Sequence, residues 1–375
     1  MVNLEGVYVT KYVWCNYKYS YFYTIESLKT MNKLYEITTL DKLYNAFQEV
    51  KKVCPWKKNI QLYEANLLLN LVKLQKSLRN GTYKQLKGNK FTLHERGKTR
   101  HISSPQIQDR IVQKVLNKYV LIPELRKYLI YDNYASLKNR GTSFARKRHL
   151  ILLRKYLNKY SRNGYILQID IHKYFDNIDH QILIKMLESK IKYKEIYHLL
   201  EYIINNASNT DKGLNLGSET PQISAILYLG YIDTYCKNVL GIKYYGRYMD
   251  DIFILDNDKN RLKSILKEIR HKLKDIKLEI NEKKTQIINL KHKYTYLQTN
   301  YIIKENLQII RRPTSSKILR EKRKLKQYRK LLNNNRMNKI DIQNSYKSWK
   351  YSILKNYNYN IKTMDSYFSK IILSK

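Results

Sequence analysis

Long apolar runs are missing from this chain. No stretch approaches the roughly 20 consecutive apolar residues that a transmembrane helix needs, so no membrane partner is expected. Residues 7–23 are aromatic but interrupted by Lys and Asn, with no clean apolar centre or cleavage site, so no secretory leader is read there. Cysteine is scarce. Cys15, Cys54 and Cys236 are far apart and odd in number, which implies neither a disulfide framework nor a zinc ligand set and fits reduced thiols in a cytoplasmic protein. The eight histidines show no metal-ligand spacing. No glycine-rich phosphate loop and no internal repeat is present. Acidic residues are also few: 31 Asp and Glu stand against 72 Lys and Arg.

That imbalance gives a net charge of +41, which calls for polyanionic partners. The lysines are spread through the whole chain and not gathered on one amphipathic helix, which argues for nucleic acid over a membrane surface. The 36 tyrosines, against 7 Phe and 3 Trp, have two readings: the nucleotide bias of an AT-rich genome, or stacking surfaces for single-stranded nucleic acid. With 375 residues, 43% of them hydrophobic, the chain can build two or three domains or one elaborate one.

Periodicity places a helix over residues 40–53 on Leu43, Tyr44, Phe47 and Val50, and a second over about 63–78, capped by Asn80-Gly81. Residues 91–103 read as a hairpin turning at Arg96-Gly97-Lys98. Helices follow Pro105 and cover 143–160, 179–191 and 193–205. A glycine-bearing loop, 213–218, precedes a long apolar helix, 221–239, and another helix covers 258–275. Strands and helices alternate irregularly, which predicts an α+β, palm-like sheet and not a doubly wound parallel one.

The chemistry sits on two strands. Tyr165-Ile166-Leu167-Gln168-Ile169-Asp170 is an apolar strand ending in a carboxylate, and 246–255 reads as strand, tight turn, strand, with Asp250 and Asp251 at the turn. Three acids gathered on a buried sheet are costly unless a cation is bound. Such a trio can hold two Mg²⁺ ions about 3.5–4 Å apart for in-line phosphoryl transfer, as polymerases do.

Six ordered motifs over roughly residues 65–300 carry a family resemblance. They are Arg96-Gly97-Lys98-Thr99-Arg100 with Asp109-Arg110-Ile111-Val112-Gln113; Arg140-Gly141-Thr142-Ser143; Asp170 with Tyr174-Phe175-Asp176-Asn177-Ile178; Gly213 through Gln222; Tyr248-Met249-Asp250-Asp251; and Asn281-Glu282-Lys283-Lys284-Thr285. Together they resemble bacterial reverse transcriptases of the group II intron and retron type. The resemblance implies a right-hand polymerase fold with fingers, an antiparallel palm sheet and a helical thumb. It implies that Asp170 and Asp250 ligate both catalytic Mg²⁺ ions (or Mn²⁺), with Asp251 completing the cluster. Phe175 would be the aromatic gate that excludes a 2′-OH. Lys98, Arg100 and Arg110 would reach the triphosphate, Gly217 and Gln222 would belong to the nucleotide site, and Tyr248 would pack near the primer end. Lys284 would approach the leaving group or only the backbone.

Two departures qualify the resemblance. Leu216 stands where the family usually has a glutamine that contacts the nucleotide, as in diversity-generating and abortive-infection reverse transcriptases. Tyr296-Leu297-Gln298 replaces the usual Phe-Leu-Gly of the primer grip. The Val-Thr-Gly signature of retron enzymes is missing from the C-terminal region. Residues 301–375 suffice for a thumb but not for an RNase H domain or a maturase with an endonuclease. Their densest basic stretch includes Lys317, Arg320, Arg323, Lys324 and Arg329, a surface for a nucleic-acid backbone with strong salt dependence. Trp349, Tyr351, Tyr357 and Tyr359 either stack on bases or pack.

The division expected is an N-terminal extension over 1–30, fingers over 31–145, palm with part of the fingers over 146–300, and a basic thumb over 301–375. The expected function is RNA-directed DNA synthesis from dNTPs. The first reading of its setting is antiphage defence with a dedicated structured noncoding RNA as template and DNA as product. The alternatives are the reverse transcriptase of a diversity-generating element, with an accessory protein, and a catalytically idle RNA-binding scaffold. A homo-oligomer stays open.

Overall fold

Burial follows the helical period in helices such as Leu40–Val53 and Ile107–Leu116. A computed structural model of the chain describes residues 32–95 and 97–373; the extension 1–30, Cys15 and Arg96 lie outside them. The described residues form two compact units: residues 32–128 with 178–225, and residues 129–177 with 226–373.

In the first unit, helix Leu40–Val53 buries Leu43, Ala46, Phe47 and Val50, the i, i+3, i+4, i+7 stripe of one helix face. Tyr44 falls outside that stripe and is 47% exposed, contrary to the sequence reading, because one residue along a helix is a 100° rotation. The single helix expected over 63–78 is two, Lys58–Ala65 and Leu67–Arg79, separated at Asn66. Asn80 caps the second, and Gly81 takes the left-handed φ of +68° that ends such helices. Strands β1 (Asn89–Glu95) and β2 (Lys98–Ser104) form the expected hairpin, with Gly97 at φ +71° in its turn. Helix Ile107–Leu116 then buries Ile107, Ile111, Val112, Val115 and Leu116. Helices His180–Glu188 and Lys194–Asn205 follow, the first capped by the Asp179 carboxylate, which accepts from the Ile182 N–H at 3.0 Å.

The second unit is built on a four-stranded sheet. β3 (Tyr165–Asp170), β4 (Tyr245–Tyr248), β5 (Asp251–Asp256) and β6 (Gln286–Asn289) lie in the order β4-β5-β3-β6, with every pairing antiparallel. Ile166, Phe253 and Leu255 join a core with Leu152, Leu153, Tyr156 and Leu157 of helix Thr142–Tyr160. Their strand neighbours Leu167, Ile252 and Ile254 are also buried, so the sheet is covered on both faces. A carboxylate at the end of such a sheet is held by a rigid frame.

Two expectations fail here. The apolar helix expected over 221–239 breaks into Glu219–Tyr228, Gly230–Thr234 and a wide turn over 235–239; Gly230, a poor helix former, stands at the break. After residue 300 the chain is not helical at once. β7 (Tyr294–Tyr296), β8 (Thr299–Ile303) and β9 (Ile309–Pro313) form a second antiparallel sheet. β7 and β8 join through Leu297 and Gln298, both with positive φ (44° and 58°), as a type I′ turn requires. Helices Ser315–Asn333, Lys339–Asn356 and Lys362–Phe368 then surround a small core of Leu325, Ile342, Tyr346, Met364 and Phe368. Among the described residues no helix is long and apolar enough to cross a membrane.

Candidate active site

Strand register sets the carboxylates. β3 and β5 pair so that Asp170 lies directly across from Asp251. β4 and β5 pair with Tyr248 across from Asp251, which leaves Met249-Asp250 as a two-residue turn. Met249 takes φ +53°, the left-handed value that tight hairpin turns need at their first central position. The second unit thus brings Asp170, Asp250 and Asp251 to one end of one sheet.

Residues 279–285 brace that end. The Asn281 backbone N–H donates to the Asp170 carbonyl at 2.7 Å, and the His172 N–H to the Glu279 carbonyl at 2.8 Å. The Asn281 side-chain amide donates to Asp170 Oδ2 at 2.8 Å. Lys284 Nζ reaches both Asp170 oxygens, at 2.7 and 2.8 Å. Burial pushes the Lys284 pKa down, but the hydrogen bond to Asp170 and the charges of Asp170, Asp250 and Asp251 outweigh it and hold the ammonium above the ordinary lysine range. One cation therefore feels all three carboxylates. Among the described residues no three His, Cys, Asp or Glu side chains are gathered closely enough to hold a metal ion as they stand. The donor chemistry nonetheless fits Mg²⁺, a hard cation that takes carboxylate oxygens and keeps several waters.

Phe175 lies on the short helix Tyr174–Asn177, edge-on to Tyr174 at 5.3 Å between ring centroids. Tyr174 is the ring that enters the core, at 2% exposure, and Phe175 stays partly exposed. Tyr248 is half-buried against the core beneath the sheet.

The other candidate nucleotide residues lie in the first unit. Lys98 pairs with Glu95 in the hairpin register, Arg100 pairs with Leu93, and Arg110 Nη2 donates to Ser104 Oγ at 3.0 Å. The loop carrying Leu216 and Gly217 docks on β2: the Ser103 N–H donates to the Leu216 carbonyl at 3.1 Å. Gly217 has φ +114°, and a Cβ there would meet the Ser103 carbonyl oxygen at 2.9 Å, so the close approach requires glycine. Gln222 is half-exposed on helix Glu219–Tyr228.

Sequence reasoning missed the residues that hold these pieces in place. Gln113 Oε1 accepts from the Glu219 and Thr220 N–H groups at 2.9 and 3.4 Å, acting as a borrowed cap for the helix that follows the loop. Thr220 Oγ1 donates to Asn117 Oδ1 at 2.9 Å, and Lys114 pairs with Glu219 at 2.9 Å. Gln113 and Asn281 were visible only as members of motifs. Arg247 carried a local signal, a charge inside an otherwise apolar strand.

On the basic helix Ser315–Asn333, Arg320 and Arg323 are exposed and Arg329 is half-buried. Lys317 is tied to the Tyr357 hydroxyl at 3.0 Å, and Lys324 to Glu321 at 2.9 Å and Ser345 at 3.2 Å. Tyr357 is buried, Trp349 stacks on Tyr346 at 5.7 Å, and Tyr359 packs on the same small core, while Tyr351 is 66% exposed.

A polymerase palm is what an antiparallel sheet with these carboxylates defines. The profile of the reverse transcriptase (RNA-dependent DNA polymerase) family matches residues 86–301, more than half of the chain, and the chain belongs to that family and carries its right-hand polymerase fold. Among solved structures it is similar to telomerase of Candida albicans in complex with a TWJ fragment of telomeric RNA (14% identity, 84% of this chain and 63% of that one, TM-score 0.47). It is also similar to apo telomerase of Candida tropicalis truncated from its C-terminal domain (14% identity, 64% of this chain and 59% of that one, TM-score 0.46). The chain spans less than two thirds of either telomerase chain. No match to a curated protein reaches significance.

Proposed function

We propose that this reverse transcriptase extends a 3′-OH with dNTPs on a dedicated structured noncoding RNA, as part of bacterial antiphage defence. The observation that carries the chemistry is the Asp170–Asp251 register beside the Asp250 turn, with Lys284 as shared counter-charge. Asp170 and Asp250 would hold two Mg²⁺ ions, with Asp251 beside them. Bound there, the metal lowers the cost of the charge that develops on the transferring phosphoryl group. The attacking 3′-oxygen bonds to the α-phosphorus as the bond to pyrophosphate breaks. Phe175 gates the sugar, Tyr248 packs near the primer end, and Lys98, Arg100 and Arg110 bind the triphosphate, whose leaving group needs cations. Lys284, held protonated beside Asp170, would meet negative charge near the leaving group, a role supported by its contact with both Asp170 oxygens. Residues 31–145 serve as fingers, 146–300 as palm with part of the fingers, and 301–375 as thumb.

The dedicated-template reading is supported by Leu216, an apolar side chain where general copying enzymes of the resembled type carry glutamine, and by the net charge of +41. The test is sequencing of the RNA and DNA that copurify with the wild type and with an Asp250→Asn, Asp251→Asn variant. One discrete RNA with complementary DNA, the DNA lost in the variant, is the expected result. Heterogeneous RNA with no carboxylate-dependent DNA would overturn the reading in favour of an RNA-binding scaffold.

A further inference from the structure

The largest fully buried side chain of the described residues is a charged one, Arg247, on β4 two residues before Met249. A buried guanidinium is costly unless every donor is used. Here Nε donates to Asp233 Oδ1 at 2.8 Å and Nη2 to Asp233 Oδ2 at 2.7 Å, a two-pronged pair. Nη2 also donates to the Ile226 carbonyl at 2.9 Å. The Tyr245 hydroxyl donates to Asp233 Oδ1 at 2.5 Å, fixing that carboxylate from a third side. The backbone is held as well: the Arg247 N–H donates to the Asp132 carbonyl at 3.0 Å and its carbonyl accepts from Tyr134 at 2.9 Å. The remaining prong matters most. Arg247 Nη1 donates to the carbonyl of Met249 at 3.0 Å.

That carbonyl belongs to the peptide joining Met249 to Asp250, the central peptide of the turn. Met249 has φ +53°, and Asp250 is not among the positive-φ residues, which is the pattern of a type II′ turn. A type I′ turn needs positive φ at both central residues, so the two forms differ by rotation of this central peptide. Rotation would turn the Met249 carbonyl and the Asp250 N–H over and tilt the Asp250 Cα–Cβ bond, shifting its carboxylate while leaving the strands paired. Met249 is not glycine, so nothing in its own chemistry selects the II′ form.

We infer that Arg247 is a positioning residue for DNA synthesis: anchored by Asp233 and Tyr245, it locks the Met249–Asp250 peptide and so aims the Asp250 carboxylate. This rests on the proposed role of Asp250. An interaction that acts only on aim should appear in kcat and spare binding, since a displacement of about 1 Å can cost about 100-fold in rate.

The test replaces the buried charges with apolar groups of similar size, a change that often leaves stability equal or higher. In the full chain, Asp233→Leu, Tyr245→Phe and Arg247→Met are combined. Incorporation of dTTP on poly(rA)/oligo(dT) is measured beside thermal unfolding. The expected result is an unfolding midpoint close to wild type, template–primer Kd and dTTP KM within about threefold, and kcat lower by about 100-fold. A folded triple variant with wild-type kcat overturns the inference. If the triple variant does not fold, Arg247→Lys decides. Its single ammonium keeps a charge beside Asp233 but lacks the planar fork that reaches both Asp233 and Met249. A fall in kcat of about tenfold with KM unchanged is expected, and wild-type kcat overturns the inference. Asp250→Asn is assayed in parallel. If it is fully active, the carboxylate site itself is misassigned; if it is dead while the Arg247 variants match wild type, only the positioning role fails.

Discussion

The Asp-Asp turn of the second unit and the Leu216-Gly217 loop of the first are both sharp, left-handed features of the backbone, yet they are held by different physics. The turn is held from its own strand by a buried charge, with Arg247 two residues before Met249. The loop is held mainly by neutral hydrogen bonds from segments about a hundred residues away, Ser103 and Gln113. Met249 tolerates a strained φ of +53° because the clamp over-determines it. Gly217 avoids strain by having no side chain. A clamp can be replaced by another clamp, but a close approach cannot be regained once a Cβ fills it.

Breaking the loop should therefore have the larger effect on stability. Gly217→Ala places a Cβ against the Ser103 backbone oxygen at 2.9 Å, with φ fixed near +114°. We expect a loss of about 1–3 kcal/mol, read by chemical denaturation, together with a raised dNTP KM as the loop lifts from β2. Gly241→Ala is the matched control: its φ is +60° with nothing within 4 Å of the added Cβ, so only the left-handed penalty of about 1 kcal/mol applies. Equal losses in the two variants would show that the Ser103 contact imposes no constraint.

The same contrast explains what could be read from the sequence. The helix over 40–53 announces itself by its local period, whereas β3 and the Asp-Asp hairpin show as short apolar runs ending in carboxylates, because a sheet buried on both faces takes apolar residues at successive positions. The partners of the loop show in neither way. Gln113 as a cap for Glu219 and Thr220, and Asn281 as a donor to Asp170, join residues more than a hundred positions apart, and no period records that. The second sheet failed to show for a different reason. Its strands are 3 to 5 residues long, too short for alternation to register, and Leu297-Gln298 lacks the Asn-Gly signature of the type I′ turn it forms. Trp349 and Tyr357 carried no local mark that separates packing from base stacking; only the small helical core around them does.

Below the sheet that carries the carboxylates lies a group that gives the second unit an acid sensitivity of its own. His149 is fully buried among Phe253, Tyr294, Tyr296 and Tyr301, with Phe253 edge-on at 4.4 Å. Burial lowers its pKa to about 3 from an ordinary 6.5. The unfolded chain therefore binds the proton first as pH falls, and stability drops between pH 6.5 and pH 3. At pH 5 the expected loss from this one group is about 2 kcal/mol, at 1.36 kcal/mol per pKa unit. His149→Gln should flatten that part of the stability–pH curve, measured by urea unfolding from pH 7 to pH 5. An unchanged slope would mean that the imidazole is not held neutral by its aromatic surroundings.

The basic helix Ser315–Asn333 is the limiting case of the comparison, because its charges differ in whether any geometry fixes them. Arg323 and Lys326 lie on its exposed face. Lys324, between them in sequence, is turned toward Glu321 and Ser345, and Glu321 is buried. If this helix follows a nucleic-acid backbone, each exposed cation should contribute about 0.9 to the slope of log K against log salt. Arg323→Ala with Lys326→Ala should then lower the slope for an RNA–DNA duplex by about 1.8, as twice that increment, with kcat at saturating duplex unchanged. Lys324→Ala should leave the slope nearly alone and instead cost stability, because it strips the buried Glu321 of its partner. The reverse pattern, a slope that follows Lys324 and ignores Arg323 and Lys326, would mean that the duplex reads a fixed ion-pair geometry here as well. The distinction between clamped and free charge would then not separate this helix from the Asp-Asp turn.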